Sequence, residues 1–296
     1  MNSPLDNTKV WLITGASSGL GKRLMTHVVA RGDRVIAAAR SIEKLEQAIN
    51  NSNISDRNRV RALRLDVTEG EEKIKVQIDE AAKFWGRIDV LVNNAGLGLP
   101  GLMEEGGTKL LRRQFETNVF GVLDVTTAAL PYLRQISDSK IVIVGSRSAW
   151  RAELPGLGHY AASKAAVHVI AESLMSELAG FGIKVLLVEP GAFKTEGIAT
   201  QHYYLDNKIS AYDDLRQLSQ KTAEGVPDTQ KGDPDKAAVV IIDVVNGEGA
   251  ATGRPWPEYL ILGDDAEHDV RSKIGRVTTA LDSFLDVTRG VSFDEV

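Results

Sequence analysis

Short apolar runs alternate with longer amphipathic stretches from Val10 onward, and few folds accept that rhythm. The runs are Val10 to Ile13, Arg34 to Ala39, Val60 to Leu65, Ile88 to Val92, Lys140 to Val144 and Ile183 to Val188. They are too short for helices and lack the strict polar alternation of a half-exposed strand, so they read as strands covered on both faces. Between them the apolar residues take helical spacing: Leu20 to Ala30, Ile42 to Ile49, Glu71 to Phe84, Lys109 to Leu133 and Tyr160 to Ala179. Strand and helix exchanged this often predict an α/β chain, a doubly wound parallel sheet joined by right-handed crossovers and flanked by helices.

The rhythm breaks after Glu189. Pro190-Gly191 interrupts the pattern, and a stretch to about Lys236 carries tyrosines, charges and a short helical segment near Leu215. A helix over Asp235 to Val245, a strand over Tyr259 to Leu262 and a last helix from about Ala266 follow. With 296 residues, one large domain with an elaborated end is expected rather than two equal ones. Its parts are a core over 9–195, a loop or lid over 196–236 and a helical extension over 237–296.

Composition narrows the function classes. A net charge of -5 supplies no basic field for nucleic acid or an anionic membrane. No apolar run approaches the roughly 20 residues that span a bilayer, and Met1 to Lys9 lacks the apolar core of a secretory signal. The absence of cysteine excludes disulfides, thiolate nucleophiles and Cys-bound zinc, and fits a reducing compartment. The expectation is a cytoplasmic protein with no metal, since no His/Asp/Glu cluster has ligand spacing.

The first apolar run passes straight into Thr14-Gly15-Ala16-Ser17-Ser18-Gly19-Leu20-Gly21 and then a helix. Glycines there let the backbone turn sharply and approach a pyrophosphate, while the helix N-terminus offers free N–H groups and the positive end of its dipole. The spacing is G-x-x-x-G-x-G rather than G-x-G-x-x-G, and Gly-Ser-rich turns are common, but its place at the first strand–helix turn points to a dinucleotide site of Rossmann type. The second strand ends Ala38-Ala39-Arg40-Ser41 with no carboxylate for ribose hydroxyls. Arg40 instead offers a guanidinium to a 2′-phosphate, which favours NADP over NAD. Asp66-Val67 and Asn93-Asn94-Ala95-Gly96 close the third and fourth strands, at the carboxyl edge where such sheets hold ligands.

Tyr160-Ala161-Ala162-Ser163-Lys164 opens a helix, so the phenol and the ammonium share a face. A phenol titrating near ~10 is a poor proton shuttle at neutral pH, and a neighbouring ammonium with a cationic nicotinamide is expected to lower that value. Ser146 ends the fifth strand and can polarise a carbonyl. Asn118 sits inside a long helical pattern where Asn is disfavoured, so its side chain is expected to bond the backbone or water.

Taken together, Lys9 to about Thr195 resembles the short-chain dehydrogenase/reductase family in its single-domain branch. The resemblance implies that Gly15, Ser17, Ser18, Gly19, Leu20 and Gly21 form the phosphate turn. Arg40, Asp66, Val67, Asn93, Ala95 and Gly96 would serve the same cofactor, NADPH in preference to NAD. Tyr160 would be the general acid/base, Lys164 its partner and a holder of the nicotinamide ribose, and Asn118 the residue ordering a proton-relay water. Pro190, Gly191, Phe193 and Thr195 match the turn that binds the nicotinamide amide. One departure stands out: the family serine usually lies thirteen residues before the tyrosine, where this chain has Arg147. Alignment on the strand selects Ser146; alignment back from the tyrosine leaves Ser148 as the alternative.

The implied reaction is hydride transfer between NADP(H) and a ketone, aldehyde or secondary alcohol. Leu97, Ser148, Trp150, Phe193 and Tyr203, with Tyr204 and Tyr212 in the lid, suggest a bulky apolar substrate. Long helices over Lys109 to Leu133 and Tyr160 to Ala179 match those that pair in family homodimers, with a tetramer as the alternative. Competing readings are an epimerase or dehydratase on the same scaffold, and a dinucleotide-binding redox sensor without turnover. The sensor usually lacks the Tyr or the Lys, and both are present here.

Overall fold

The computed structural model describes residues 8–196 and 202–293. Seven parallel strands form one sheet in the order β3-β2-β1-β4-β5-β6-β7. They are β1 (Val10–Thr14), β2 (Arg34–Ala39), β3 (Val60–Arg64), β4 (Val90–Asn93), β5 (Lys140–Val144), β6 (Lys184–Pro190) and β7 (Tyr259–Leu262). Both faces are covered because successive side chains point to opposite sides. Val10 and Leu12 enter one apolar cluster with Ile141, Ile143, Val185 and Leu187. Trp11 and Ile13 enter the other, with Val142, Leu186 and Val188. That two-sided burial explains the continuous apolar runs.

The helices are α1 (Gly19–Ala30), α2 (Ile42–Asn50), α3 (Glu71–Lys83), α4 (Met103–Phe115), α5 (Gly121–Leu133), α6 (Gly158–Leu178), α7 (Asp213–Thr229), α8 (Pro234–Asn246), α9 (Asp264–Ser283) and α10 (Leu285–Thr288). Buried residues of α3, α5 and α6 join the first cluster, those of α1 and α8 the second. Strand order reverses at β1, between β2 and β4, and opens a crevice at the carboxyl edge of the sheet.

The long helix expected over Lys109 to Leu133 is instead α4, one π turn at Glu116–Phe120 and α5. Inside α4, Gly107 leaves helical geometry (φ +50°, ψ −153°), and the buried His159 ring places Nε2 3.1 Å from its carbonyl. A Cβ on Gly106 would stand 2.6 Å from that ring, so the sequence Gly106-Gly107 lets the histidine lie against the broken turn. A π turn is a rare device that concentrates at functional sites, and this one carries Asn118. β6 runs two residues further than the apolar pattern, taking Glu189 and Pro190 into the strand. The segment between β6 and α8 is more helical than expected, with α7 where only a short segment near Leu215 is predicted. No helix among the described residues is long and apolar enough to cross a membrane.

Candidate functional site

A cleft of about 920 Å³ follows the carboxyl edge of the sheet from Arg40 to the lid. At its centre, β1 hands over to α1 through a loop cross-braced to β4. Thr14 Oγ1 donates to Val92 O (3.3 Å) and accepts from the N–H groups of Asn94 and Ala95 (3.0 Å each). Asn94 Nδ2 donates to Thr14 O (2.9 Å) and Gly15 O (3.3 Å). Gly15 takes φ +66°, and a Cβ there would stand 2.9 Å from Ala95 Cα, so the loop closes against β4 only without a side chain.

The residues of this loop fit a dinucleotide phosphate. Ser17, Ser18, Gly19 and Leu20 line the cleft at the start of α1, whose first turn holds no acidic residue and whose Ser18 cap makes no side-chain bond. The helix end therefore faces the cleft with N–H donors and the positive end of its dipole. Glu196 reaches back across it: Gly19 N donates to Oε2 at 3.1 Å, and Arg23 forms an ion pair at 2.6 Å. Arg23 holds that carboxyl down to about 2. Arg40 is exposed and lines one end of the cleft, with Asp66 and Val67 beside it. Asp66 Oδ1 is engaged by the Thr68 N–H and hydroxyl at 3.0 and 2.8 Å.

Tyr160, Lys164 and Ser146 meet in the middle. Ser146 lies two residues beyond β5 and caps the turn at Arg147–Ala149; it is 7% exposed and accepts from Ser148 N at 3.1 Å. Its hydroxyl lies beside the Tyr160 phenol and favours the phenolate. Lys164 donates from Nζ to Val144 O at 2.7 Å and lies 5.9 Å from the centre of the Tyr160 ring. Burial pulls its pKa down to about 8, against the charge of Glu189. The expected lowering of the tyrosine is not found in the protein alone: burial pushes the phenol up, and only the Ser146 hydroxyl opposes it. The ammonium spends its directed bond on Val144 rather than on the phenol.

Besides Tyr204 and Tyr212, four of the residues read from the sequence do not line the cleft. Asn93 is buried under it and donates to Thr126 Oγ1 at 2.8 Å; its neighbour Asn94 faces the loop instead. Gly21 lies inside α1, where a Cβ would stand 2.4 Å from Asn94 Nδ2, so it serves packing. Trp150 turns away to donate its Nε1–H to Glu189, with His168 beside it. Asn118 sits behind the wall and grips Leu97 by both backbone groups, accepting from N at 2.7 Å and donating to O at 2.8 Å. The Leu97 bonds meet the expectation of a backbone partner, and a further donation to Ser163 Oγ at 2.9 Å ties the π turn to α6.

Ala95, Gly96, Leu97, Ser148, Pro190, Gly191, Phe193, Thr195 and Tyr203 all line the cleft. Tyr203 donates to Ser219 Oγ (2.9 Å), which donates to Pro155 O (2.8 Å), so the lid is hydrogen-bonded to the loop before α6. Tyr204 packs beside Leu99 and Leu110 instead, and Tyr212 bonds Glu104. The Pro190-Gly191 turn is clamped by α9. A Cβ on Gly191 would collide with Asp265 Oδ1, Ala192 N donates to Asp265 Oδ2 (2.8 Å), and Arg147 pairs with Asp265 (3.1 Å) and Asp269 (3.0 Å). Arg147, which stands where the serine was looked for, thus holds the C-terminal helix. Among the described residues no group of His, Asp and Glu could hold a metal ion.

The family model described as short chain dehydrogenase matches residues 9–202. The uncharacterized oxidoreductase YusZ of Bacillus subtilis is 38% identical over 248 residues, 79% of this chain and 84% of its own. A short-chain dehydrogenase structure from Streptomyces avermitilis superposes with a TM-score of 0.83 at 36% identity, over 97% of this chain and all of that one. ElxO, solved with NADP bound, gives 0.69 at 27% identity over 90% of this chain and 99% of its own, while another neighbour of the fold, a 3-ketoacyl-(acyl-carrier-protein) reductase from Brucella melitensis, was solved with NADH. This chain therefore belongs to the short-chain dehydrogenases, an oxidoreductase family.

Proposed function

We propose that the protein is an NADP(H)-dependent carbonyl reductase or secondary-alcohol dehydrogenase. The observation that carries the reading is the convergence of Ser146, Tyr160 and Lys164 beside a glycine turn that faces the same cleft. Bound NADP(H) would supply or accept hydride at its nicotinamide, held between the α1 end and the Pro190-Gly191 turn. Arg40, with no carboxylate at the end of β2, favours the 2′-phosphate; NAD is the second candidate.

In the reductive direction the Ser146 hydroxyl donates to the carbonyl oxygen and fixes its position, and Tyr160 delivers its proton to the oxygen as charge develops there. Lys164 makes that transfer easier by offsetting the negative charge left on the phenol, and is the group from which the proton is replaced. Asn118 holds Leu97 and so sets the wall facing Lys164. Leu97, Leu157, Phe193 and Tyr203 favour a bulky, largely apolar substrate, placed under the lid. A cytoplasmic homodimer is part of the same reading; Phe120, Leu123 and Val169 leave apolar surface on the helices that would pair.

Tyr160→Phe tests the chemistry. NADPH binding, followed by its fluorescence, should persist within about twofold of wild type. Turnover should drop by roughly 10²- to 10⁴-fold, the usual worth of a positioned acid. Retained turnover would refute the assignment of Tyr160 as the proton donor.

A further inference from the structure

Glu189 has no part in the reaction just described, yet it is a carboxylate with no solvent exposure at all. Burying such a charge is costly unless its oxygens are matched. Trp150 Nε1 donates to Oε2, and Oε1 lies 3.0 Å from His168 Nδ1. Oε1 is also 3.4 Å from where a Cβ of Gly145 would stand, so the carboxylate lies against the turn from β5 to Ser146.

His168 follows Lys164 by one helical turn on α6, and Glu172 follows His168 by another, so the three share a face. His168 Nε2 lies 3.2 Å from Glu172 Oε1, which also accepts the Tyr259 hydroxyl. The imidazole is enclosed by the Trp150 and Tyr259 rings, at 5.1 and 5.5 Å. A row of titratable groups thus runs from Lys164 through Glu189 and His168 to the partly exposed Glu172. It is bordered by Tyr160 on α6 and by Tyr259 and its neighbour Glu258 at β7, while Trp150 brings no charge. Lys164 itself donates to a neutral carbonyl, and Glu189 is the carboxylate whose charge reaches it.

We propose that Glu189 and His168 form a positioning pair that sets the charge on Lys164, the carboxylate holding the ammonium protonated and the imidazole moderating that hold. The proposal rests on the reading of Lys164 given above. Its sign follows from charge. Burial disfavours the protonated imidazole, but Glu189 and Glu172 outweigh it and hold His168 above the ordinary histidine range. While His168 is cationic it offsets part of the Glu189 charge. Once it deprotonates, Glu189 acts on Lys164 undiminished, so the lysine keeps its proton more firmly as the solution turns alkaline.

The test reads Lys164 directly, on the full chain without cofactor. Protein labelled with ¹³C at lysine Cε is titrated by NMR, the Lys164 signal being assigned by its loss in Lys164→Arg. Wild type should titrate at about 8. Glu189→Gln should move the midpoint down by about one pH unit, and His168→Gln should move it up by less. A purely structural role for the pair would lower the melting temperature and leave the midpoint in place. An unmoved midpoint in folded Glu189→Gln, or shifts of the same sign in both variants, would overturn the proposal. Should Glu189→Gln not fold, the upward shift in His168→Gln decides the matter, and its absence counts against the pair. Because no turnover is measured, a wild type that failed to oxidise NADPH would defeat the enzymatic reading while leaving these shifts intact.

Discussion

Glu196 occupies donors that an anionic ligand of the α1 turn would want. Its carboxylate rests on Gly19 N–H and Arg23, and with its pKa held down to about 2 it stays charged at any working pH. On the proposed reading the NADP(H) pyrophosphate must displace or rearrange it. Glu196→Gln is therefore expected to tighten NADPH binding, by no more than about fivefold because an exposed ion pair is worth about 0–1 kcal/mol. Fluorescence titration checks this, and weaker binding in the variant would mean that Glu196 helps to close the site. Such a contact is illegible in a sequence, since Gly19 and Glu196 are 177 residues apart. That Tyr160, Lys164 and Ser146 would line one cleft was legible because the first two share a helix face and the third closely follows a strand, while Ser148 lines the same cleft and stays the alternative. Trp150 was misread as a pocket residue because nothing local shows which way an aromatic in a loop turns. Glu189 was passed over although it adjoins Pro190-Gly191, and an acid inside an otherwise apolar strand was the signal available.

Among the elements, the strands were the most legible, since burial on both faces leaves an unbroken apolar run that little else produces. The helix pattern over Lys109 to Leu133 hid two irregularities, the Gly107 break and the π turn at Asn118, because both keep apolar residues on the buried face. The lid was under-read for a different reason. α7 is held by a pair the chain order does not reveal: Glu105 of α4, 2% exposed, pairs with Arg216 at 2.9 Å and accepts from Ile209 N, also at 2.9 Å. Replacing one member of a buried pair strands the other, at a cost of about 3–5 kcal/mol. Glu105→Gln should loosen α7 selectively, so that amides over 209–225 exchange faster with solvent while those of β1 and β4 keep their protection. Equal loss throughout the molecule would show that the pair supports the whole fold rather than the lid. Asp265 and Asp269 of α9 act in the same long-range way on Arg147 and the Pro190-Gly191 turn. The C-terminal extension therefore braces the candidate site instead of merely following it.

At the scale of the molecule, strand order and helix placement follow from handedness and two-sided burial, which is why the architecture could be read before any coordinate. The family is read with equal directness from the match over residues 9–202. Substrate identity is written in neither; on the proposed reading it depends on how Leu97, Phe193 and Tyr203 shape one end of an open cleft. The central claim, carbonyl chemistry linked to NADP(H), is tested most directly by following oxidation of NADPH and of NADH against ketones and aldehydes of graded size. Stoichiometric oxidation is predicted with NADPH, at a kcat/KM exceeding that with NADH by at least about tenfold, the worth of roughly one charged hydrogen bond from Arg40. Activity should rise with the apolar bulk of the substrate. Tight NADPH binding with no oxidation across the panel, or faster turnover with NADH, would contradict the account.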